Sequence, residues 1–314
     1  MTTIAQAFVL GAGLGKRLRP LTDDLPKPLV PIFQKPLITF ALDHLIDLGI
    51  ESFVINTHRL PEQFANAFPN RTYRDRPVRL VHEPELLGTG GGIKNIEPYL
   101  KSAPFIAYSG DVLTAINLQP LIDEHFRCGN DVTLALRDTG LAAAVAFRNG
   151  RVVDISNRYG ITGNYDFANM AVWNPEIFER IPPNRRISFI PIIADWIGAG
   201  GKIGGVVLND GKWFNIGSRA QYLEIHRLIA DGWRPRYVET PEWPIRMATS
   251  ATVAASAQFS GFFSIGADCS VGDNAVIEDT ILWPGAEITS KSYLQGCIVR
   301  ANQRVSGVHR NIDI

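Results

Sequence analysis

The chain has 314 residues, 46% of them hydrophobic, so it can bury one large core and still carry an appendage. Lys and Arg number 31, as do Asp and Glu, and a formal net charge of zero gives no reason to expect nucleic acid as a partner. The three cysteines are scattered without metal-ligand spacing, which favours reduced thiols. The sequence shows neither a signal-peptide pattern nor an apolar run of membrane-spanning length, so we expect a cytoplasmic, soluble protein with no membrane partner.

The first element is an apolar strand from Ile4 to Leu10, which is followed by a stretch rich in glycine and basic residues. Gly11, Gly13 and Gly15 let the backbone turn sharply and bring several N–H groups close to an anion. Arg17 and Lys27 add cationic side chains next to the same turn. A glycine-rich turn with fixed cations predicts a site for a triphosphate.

The whole stretch from Gly11 to Leu29, G-x-G-x-G-x-R-L-x-P-L-T-x-x-x-P-K-P-L, resembles the signature of the sugar-1-phosphate nucleotidylyltransferases. The alternative is a dinucleotide-binding turn, but Lys16 stands where that fingerprint needs its third glycine, and the second strand ends in Asn56 instead of an acid. The resemblance implies an NTP and a sugar-1-phosphate as partners and Mg²⁺ as cofactor. It also implies catalytic roles for Arg17 and Lys27, and nucleotide binding by Leu10, Gly11, Gly13 and Gly15.

The next elements alternate between helices and strands. A helix follows Pro36, a strand runs from Ser52 to Ile55, a short helix covers Glu62 to Phe68, and a third strand runs from Val78 to His82. This β-α-β-α-β order predicts an α/β fold with a Rossmann-like, mostly parallel sheet flanked by helices.

A second glycine cluster, L-G-T-G-G-G-I from Leu87 to Ile93, precedes a helix predicted from about Ile93. The cluster resembles the family's nucleotide-base loop, which implies that Gly88 and Thr89 bind nucleotide. Glu83 stands where relatives that use uracil or thymine often carry Gln. Because a carboxylate only accepts hydrogen bonds, we predict that Glu83 accepts the ring N–H of uracil or guanine. The loop favours UTP, and GTP is the alternative.

Two oxygen ligands are predicted for the magnesium ion. A fourth strand, Pro104 to Ser109, ends in Gly110-Asp111, and ligands of open α/β sheets bind beyond the carboxyl ends of the strands. Asp111 resembles the family's metal-binding Asp and is predicted to be catalytic; a turn Asp is the alternative. The segment Lys212-Trp-Phe-Asn-Ile-Gly-Ser218 resembles the family's W-x-D-I-G-T, so Asn215 takes the place of a carboxylate ligand.

The sugar is predicted to bind to the second half of the catalytic domain. Asn149-Gly150 indicates a hairpin, with a strand from Ala142 to Phe147 before it. Asn169 lies in a segment that resembles the family's sugar-contacting strand. Arg158 lies where many relatives have an E-K-P lysine for the sugar phosphate, and either it substitutes for that lysine or it is a solvated surface residue.

The last segment follows a different pattern. Ile265 and Val271 are six residues apart, and Ile277, Leu282 and Ile288 continue with looser spacing, with small residues at the corners. This pattern resembles a short left-handed hexapeptide β-helix, in which aliphatic residues point inward; a plain β-hairpin domain is the alternative. We therefore predict a catalytic domain at 1–232 (nucleotide half 1–136, sugar half 137–232), a linker at 233–250 and a β-helix-like domain at 251–314. The appendage suggests a homo-oligomer. A catalytically silent regulatory homologue is the rival from another class.

Overall fold

The computed structural model describes residues 4–140 and 143–314, so the predicted strand start at Ala142 lies outside the described residues. The chain divides into two compact units. The first, which we call the sheet unit, consists of the chain up to Leu14 together with Phe40–Trp213. The second, the coil unit, consists of Gly15–Thr39 and Phe214–Ile314.

The helices and strands are as follows. The helices are α1 (Leu37–Asp47), α2 (Pro61–Ala67), α3 (Gly88–Asn95), α4 (Gln119–Cys128), α5 (Ile177–Arg180), α6 (Phe189–Gly198) and α7 (Arg219–Ala230). The strands before α7 are β1 (Gln6–Leu10), β2 (Pro31–Ile32), β3 (Lys35–Pro36), β4 (Ser52–Thr57), β5 (Thr72–Tyr73), β6 (Arg76–His82), β7 (Phe105–Ser109), β8 (Val112–Thr114), β9 (Val132–Arg137), β10 (Val145–Arg148), β11 (Arg151–Ile155), β12 (Asp166–Trp173), β13 (Ile203–Val207) and β14 (Trp213–Asn215). Those after it are β15 (Thr252–Val253), β16 (Gln258–Ile265), β17 (Ser270–Val271), β18 (Val276–Leu282), β19 (Glu287–Ile288), β20 (Tyr293–Gln295), β21 (Ile298–Val299), β22 (Arg304–Val305) and β23 (Val308–Arg310).

The sheet unit is built on one sheet of ten strands in the order β10-β11-β13-β9-β12-β7-β1-β4-β6-β5. Seven of these described strands run in one direction, and β5, β11 and β12 run against them. The apolar residues of β1 are buried between β4 and β7, while α3 packs on β1 and α4 packs on β9 and β13. The predicted α/β class with a mostly parallel, helix-covered sheet is therefore confirmed.

Two local predictions in this unit have different outcomes. The Asn149-Gly150 hairpin is confirmed: β10 and β11 pair antiparallel, and both turn residues have positive φ, 49° and 78°. The predicted helix start at about Ile93 is wrong, because α3 begins at Gly88. The glycine cluster therefore forms the first turns of a helix.

The C-terminal part of the coil unit is a stack of short parallel strands. One sheet has the order β15-β17-β19-β22, another has the order β16-β18-β20-β23, and β21 pairs with β18. The aliphatic residues predicted to point inward are buried there: Ile265, Val271, Ile277, Leu282 and Ile288. These residues belong to one buried apolar cluster, which also contains Cys269, Ala275 and Leu294. No helix within the described residues is both long and apolar enough to cross a membrane.

Candidate active site

A chain of hydrogen bonds joins the carboxyl ends of β1, β4 and β6. The backbone N–H of Gly11, just after β1, donates to Oδ1 of Asn56 at 2.8 Å. Nδ2 of Asn56 donates to Oε1 of Glu83, just after β6, at 2.7 Å. Asn56 is almost completely buried, so it fixes the path of the backbone as it enters the glycine-rich stretch.

Glu83 is completely buried and has both carboxylate oxygens engaged within the protein. Its Oε1 accepts from Asn56, and its Oε2 accepts from the backbone N–H of Leu87 at 3.0 Å. The hydrogen bond from a base N–H to Glu83 stays a prediction. The sequence prediction also gave no role to Asn56, although a polar side chain at the carboxyl end of a buried strand was the available signal.

The glycines of the second cluster pack against a distant segment of the sugar half. The N–H groups of Gly90 and Gly91 donate to the carbonyl of Ile187 at 2.9 and 3.1 Å, and the N–H of Ile187 donates to the carbonyl of Leu87. A Cβ on Gly92 would lie 2.9 Å from Nδ2 of Asn56, so no larger residue fits there without a shift. Two of the N–H groups at the start of α3 are thus used inside the protein.

Thr89 takes part in the same contact. Its hydroxyl oxygen accepts the backbone N–H of Phe189 at 3.1 Å, where α6 begins. Gly88 has a φ of +73°, which glycine adopts without strain. The segment that contains Ile187 and Phe189 was not part of the predicted site, because it lies about a hundred residues further along the chain.

Asp111 lies in the turn between β7 and β8, at the same end of the sheet as Gly11. β1 and β7 are parallel neighbours with Leu10 opposite Ser109, and the N–H of Gly110 donates to the carbonyl of Leu10 at 2.9 Å. Asp111 is half-buried. The sheet unit therefore brings together the strand ends that carry Gly11, Asn56, Glu83 and Asp111.

Asn169 and Arg158 occupy irregular positions in the sugar half. Asn169 has a φ of 65° at a bulge in β12, where the pairing with β9 shifts between Phe167 and Ala171. The guanidinium of Arg158 lies 3.4 Å from the carboxylate of Asp195, and both side chains are well exposed.

The loop that carries Arg158 is anchored by Asp154, which the sequence did not single out. Its carboxylate is completely buried and accepts the backbone N–H groups of Arg158, Tyr159 and Ile161 at 2.8, 2.9 and 3.0 Å. Burial opposes ionisation of this group, but these backbone hydrogen bonds outweigh it and lower the pKa of Asp154.

In the coil unit, Gly15 and Lys27 are in close contact. Gly15 has a φ of +62°, and its carbonyl accepts the hydroxyl of Thr22 at 2.9 Å. A Cβ at Gly15 would lie 3.1 Å from Cβ of Lys27, whose side chain is largely buried in a 3₁₀ turn over Lys27–Leu29. The stem of Lys27 therefore leaves a 3₁₀ turn whose backbone is restricted by Pro26 and Pro28.

Arg17 lies against the start of α7. A Cβ on Gly217 would be 2.8 Å from Nη2 of Arg17, so the guanidinium occupies the space that a side chain would need. Ser218 caps α7, its hydroxyl oxygen accepting the N–H of Gln221. Nearby in the sequence, Oδ1 of Asn215 is buried and has no hydrogen-bond partner among the residues that the structure describes.

The predicted site residues divide between the two units. The sheet unit contains those around the strand ends and in the sugar half: Leu10, Gly11, Gly13, Glu83, Gly88, Thr89, Asp111, Arg158 and Asn169. The coil unit contains Gly15, Arg17, Lys27 and Asn215. Residues 4–140 and 143–314 contain no group of three or more His, Cys, Asp or Glu side chains that could hold a metal ion.

Comparison with known proteins places this arrangement in a family. The family model described as nucleotidyl transferase matches residues 6–232. Mannose-1-phosphate guanylyltransferase of Mycobacterium tuberculosis is 27% identical over 304 residues, which cover 93% of this chain and 82% of that protein. N-acetylmuramate alpha-1-phosphate uridylyltransferase of Neisseria meningitidis is 27% identical over 243 residues, which cover 73% of this chain and 100% of that protein.

Among solved structures, the inositol-1-phosphate CTP transferase from T. maritima superposes with a TM-score of 0.59 at 20% identity, over 74% of this chain and 99% of that one. At this identity the likeness concerns the fold. The family match spans the whole ten-stranded sheet and α7. The chain is therefore a nucleotidyltransferase and belongs to the nucleotidyl transferase family.

Proposed function

We propose that this enzyme transfers a nucleotidyl group from an NTP to a sugar-1-phosphate and releases pyrophosphate. The observation that carries the proposal is the family match over residues 6–232, a range that contains all the predicted catalytic and metal-binding side chains: Arg17, Lys27, Asp111 and Asn215. The names of two similar proteins contain sugar 1-phosphates, mannose 1-phosphate and N-acetylmuramate α-1-phosphate.

The reaction requires positioning and charge neutralisation more than proton transfer. An oxygen of the sugar phosphate attacks the α-phosphorus, and the bond from that phosphorus to the bridging oxygen of the β-phosphate breaks. The electron pair leaves with pyrophosphate. Because the sugar phosphate is already anionic at neutral pH, no general base is needed. Arg17 holds the β- and γ-phosphates while charge develops on them, and Lys27 neutralises charge at the reacting phosphate.

Two side chains supply oxygen ligands of the kind that Mg²⁺ prefers. The buried Oδ1 of Asn215 has no hydrogen-bond partner within residues 4–140 and 143–314, so it is an acceptor that calls for a cation or a donor, and Asp111 supplies a carboxylate. We propose that these two residues hold Mg²⁺, which when bound supplies neutralisation of phosphate charge. With one carboxylate and one amide, the site provides less ligand charge than a pair of carboxylates.

Two nucleotides are candidates, each favoured by a specific observation. UTP is favoured by the T-G-G-G-I loop and by the uridylyltransferase relative, which aligns over its full length. GTP is favoured by the guanylyltransferase relative, whose alignment covers 93% of this chain. Since Glu83 is completely buried and accepts from Asn56 and Leu87 inside the protein, we propose that it positions the nucleotide loops and that other groups select the base.

The test is a pyrophosphate-release screen of the four NTPs against a panel of sugar-1-phosphates, with and without Mg²⁺. We expect Mg²⁺-dependent release with UTP or GTP and one class of sugar phosphate, and formation of the matching nucleotide sugar by mass spectrometry. Release of pyrophosphate without a nucleotide-sugar product, or no turnover with any pair, would overturn the proposal. Binding of a sugar nucleotide without turnover would instead support the regulatory homologue.

The same proposal extends to the C-terminal part. We propose that the parallel stack from Ala251 onward is a left-handed β-helix domain, because buried aliphatic residues recur in it every five to six residues from Ile265 to Ile288. The predicted homo-oligomer is tested by light scattering of the full chain at several concentrations. A mass that stays at that of one chain would contradict it.

A further inference from the structure

The segment that carries Arg17 and Lys27 is packed against the C-terminal stack of strands. We call Gly15–Thr39 the signature loop and residues 251–314 the coil. The signature loop, α7 and the coil belong to one compact unit. Contacts between them therefore affect where the side chains of Arg17 and Lys27 are held.

A relay of two hydrogen bonds runs from the coil through α7 to the signature loop. Nε1 of Trp283, in the coil, donates to the hydroxyl of Tyr222 at 3.2 Å. That hydroxyl in turn donates to the carbonyl of Pro31 in the loop. Tyr222 and Trp283 are buried, so water does not replace either bond if its partner is removed.

A second contact to the loop passes through His226, one turn further along α7. Nδ1 of His226 donates to the carbonyl of Tyr222 at 2.8 Å, so the ring has its proton on that nitrogen. Nε2 is then free to accept the backbone N–H of Phe33 at 3.4 Å. Burial lowers the pKa of His226 to about 4, which keeps the ring neutral and preserves this acceptor.

Polar pairs hold the two flanks of the loop. The carboxylate of Asp24 lies 2.7 Å from Nη1 of Arg300, and Nε2 of Gln34 donates to the hydroxyl of Ser264 at 2.9 Å. Lys27 lies between these two points in the sequence. The loop is thus fixed to the coil on either side of its catalytic lysine.

The coil also holds the start of α7, against which Arg17 lies. Nε of Arg219, the first residue of α7, donates to the carboxylate of Asp313 at 2.6 Å, and Nη2 of the same guanidinium donates to the carbonyl of Gly296. Gly217, which gives the Arg17 guanidinium its space, lies only two residues before Arg219. The coil therefore contacts both the loop that carries Lys27 and the start of α7, against which Arg17 lies.

We propose that the coil is a positioning element for catalysis, in which Trp283 and Tyr222 are positioning residues that set the geometry of the signature loop. The inference rests on the proposed function, in which Arg17 and Lys27 neutralise phosphate charge. A misplacement of a charged group by about 1 Å costs up to about 10²-fold in rate, so a small loop shift suffices to depress turnover. This role is intramolecular and does not depend on association of copies.

The experiment uses the full chain with Tyr222→Phe, Trp283→Phe and the double variant. Tyr222→Phe removes only the hydroxyl of the relay. The matched control is Tyr293→Phe, since that hydroxyl donates to Glu278 within the coil itself. We measure kcat and KM for the NTP, thermal unfolding, and hydrogen exchange of peptides that cover residues 24–36.

Each single variant is expected to lower kcat by about fivefold to a hundredfold with little change in KM, and to accelerate exchange in residues 24–36. The double variant should lose no more than the worse single variant, because both changes break one relay. Tyr293→Phe should match wild type in all readouts. Wild-type kcat together with wild-type exchange in Tyr222→Phe would overturn the inference.

The measurements of kcat and of hydrogen exchange separate this inference from the proposed function. If the wild-type chain turns over no sugar-1-phosphate, the function fails, and exchange in residues 24–36 still decides whether the coil orders the loop. Should Tyr222→Phe fail to fold, Arg300→Gln provides the same measurements at a more exposed pair. Unchanged exchange and kcat in that variant would then count against the inference.

Discussion

Replacing Glu83 by Gln tests whether this residue positions the nucleotide loops or selects the base. In the structure its two oxygens accept from Nδ2 of Asn56 and from the N–H of Leu87. Gln offers one oxygen and one NH₂ group, so one of these two donors must face another donor. Asn56 cannot relieve the conflict by rotating its amide, because its own Oδ1 already accepts the N–H of Gly11.

The cost follows from the burial of the site. A buried donor without an acceptor costs about 1–3 kcal/mol, and Glu83 and Asn56 are both buried. We therefore expect the free energy of unfolding to fall by about that amount. If this free energy is also lost from the nucleotide loops in the transition-state complex, kcat/KM falls by up to about a hundredfold, since about 1.4 kcal/mol corresponds to a factor of ten.

The assay combines urea unfolding with kcat/KM for the four NTPs and one good sugar phosphate. Glu85→Gln is the matched control, since it makes the same chemical change at an exposed position two residues away. A positioning role predicts that Glu83→Gln lowers all four values by a common factor and keeps their order. A changed order would restore the base-reading role that the sequence suggested, and an unchanged unfolding free energy would show that the hydrogen-bond chain contributes nothing.

Most of the fold could be predicted from the sequence, because local patterns determine it. Buried apolar runs, helical stripes and the Asn149-Gly150 turn each depend on residues a few positions apart. The buried column that starts at Ile265 and Val271 was likewise visible as a six-residue recurrence. The start of α3 was missed because glycine disfavours helices. The carbonyl oxygen of Ile187 accepts the N–H groups of Gly90 and Gly91, and no local sequence pattern shows this distant acceptor.

The site could be predicted by residue type but not by partner. Glu83 was predicted to accept a hydrogen bond from a base, which stays a prediction, and its donors within the protein come from the end of another strand and from the backbone four residues on. The anchoring of the signature loop by Trp283 and Arg300 joins residues more than two hundred positions apart. Such pairings depend on tertiary packing, so the sequence alone could not show them.

Four further predictions concern single side chains. Asp111→Asn should abolish turnover at ordinary Mg²⁺ concentrations, because it removes the charge of the carboxylate ligand. Asn215→Asp adds a charged ligand, so a titration of activity with Mg²⁺ should show an unchanged or higher affinity for the ion. The pKa of His226 is about 4 in the folded chain, below its ordinary value of about 6.5, so as the pH falls the unfolded chain binds the proton first. The free energy of unfolding, measured in urea, should therefore fall by about 2–3 kcal/mol between pH 6.5 and pH 4.5. A His226→Gln variant should not show this loss. Arg17→Ala should lower kcat by about 10²–10³-fold in a folded protein, as loss of one contact to a developing oxyanion does. Gly217→Ala should reproduce part of that loss, because its Cβ would lie 2.8 Å from Nη2 of Arg17 and must displace the guanidinium. In the double variant Gly217→Ala should add nothing to Arg17→Ala, and fully additive losses would show that Gly217 acts on some group other than Arg17.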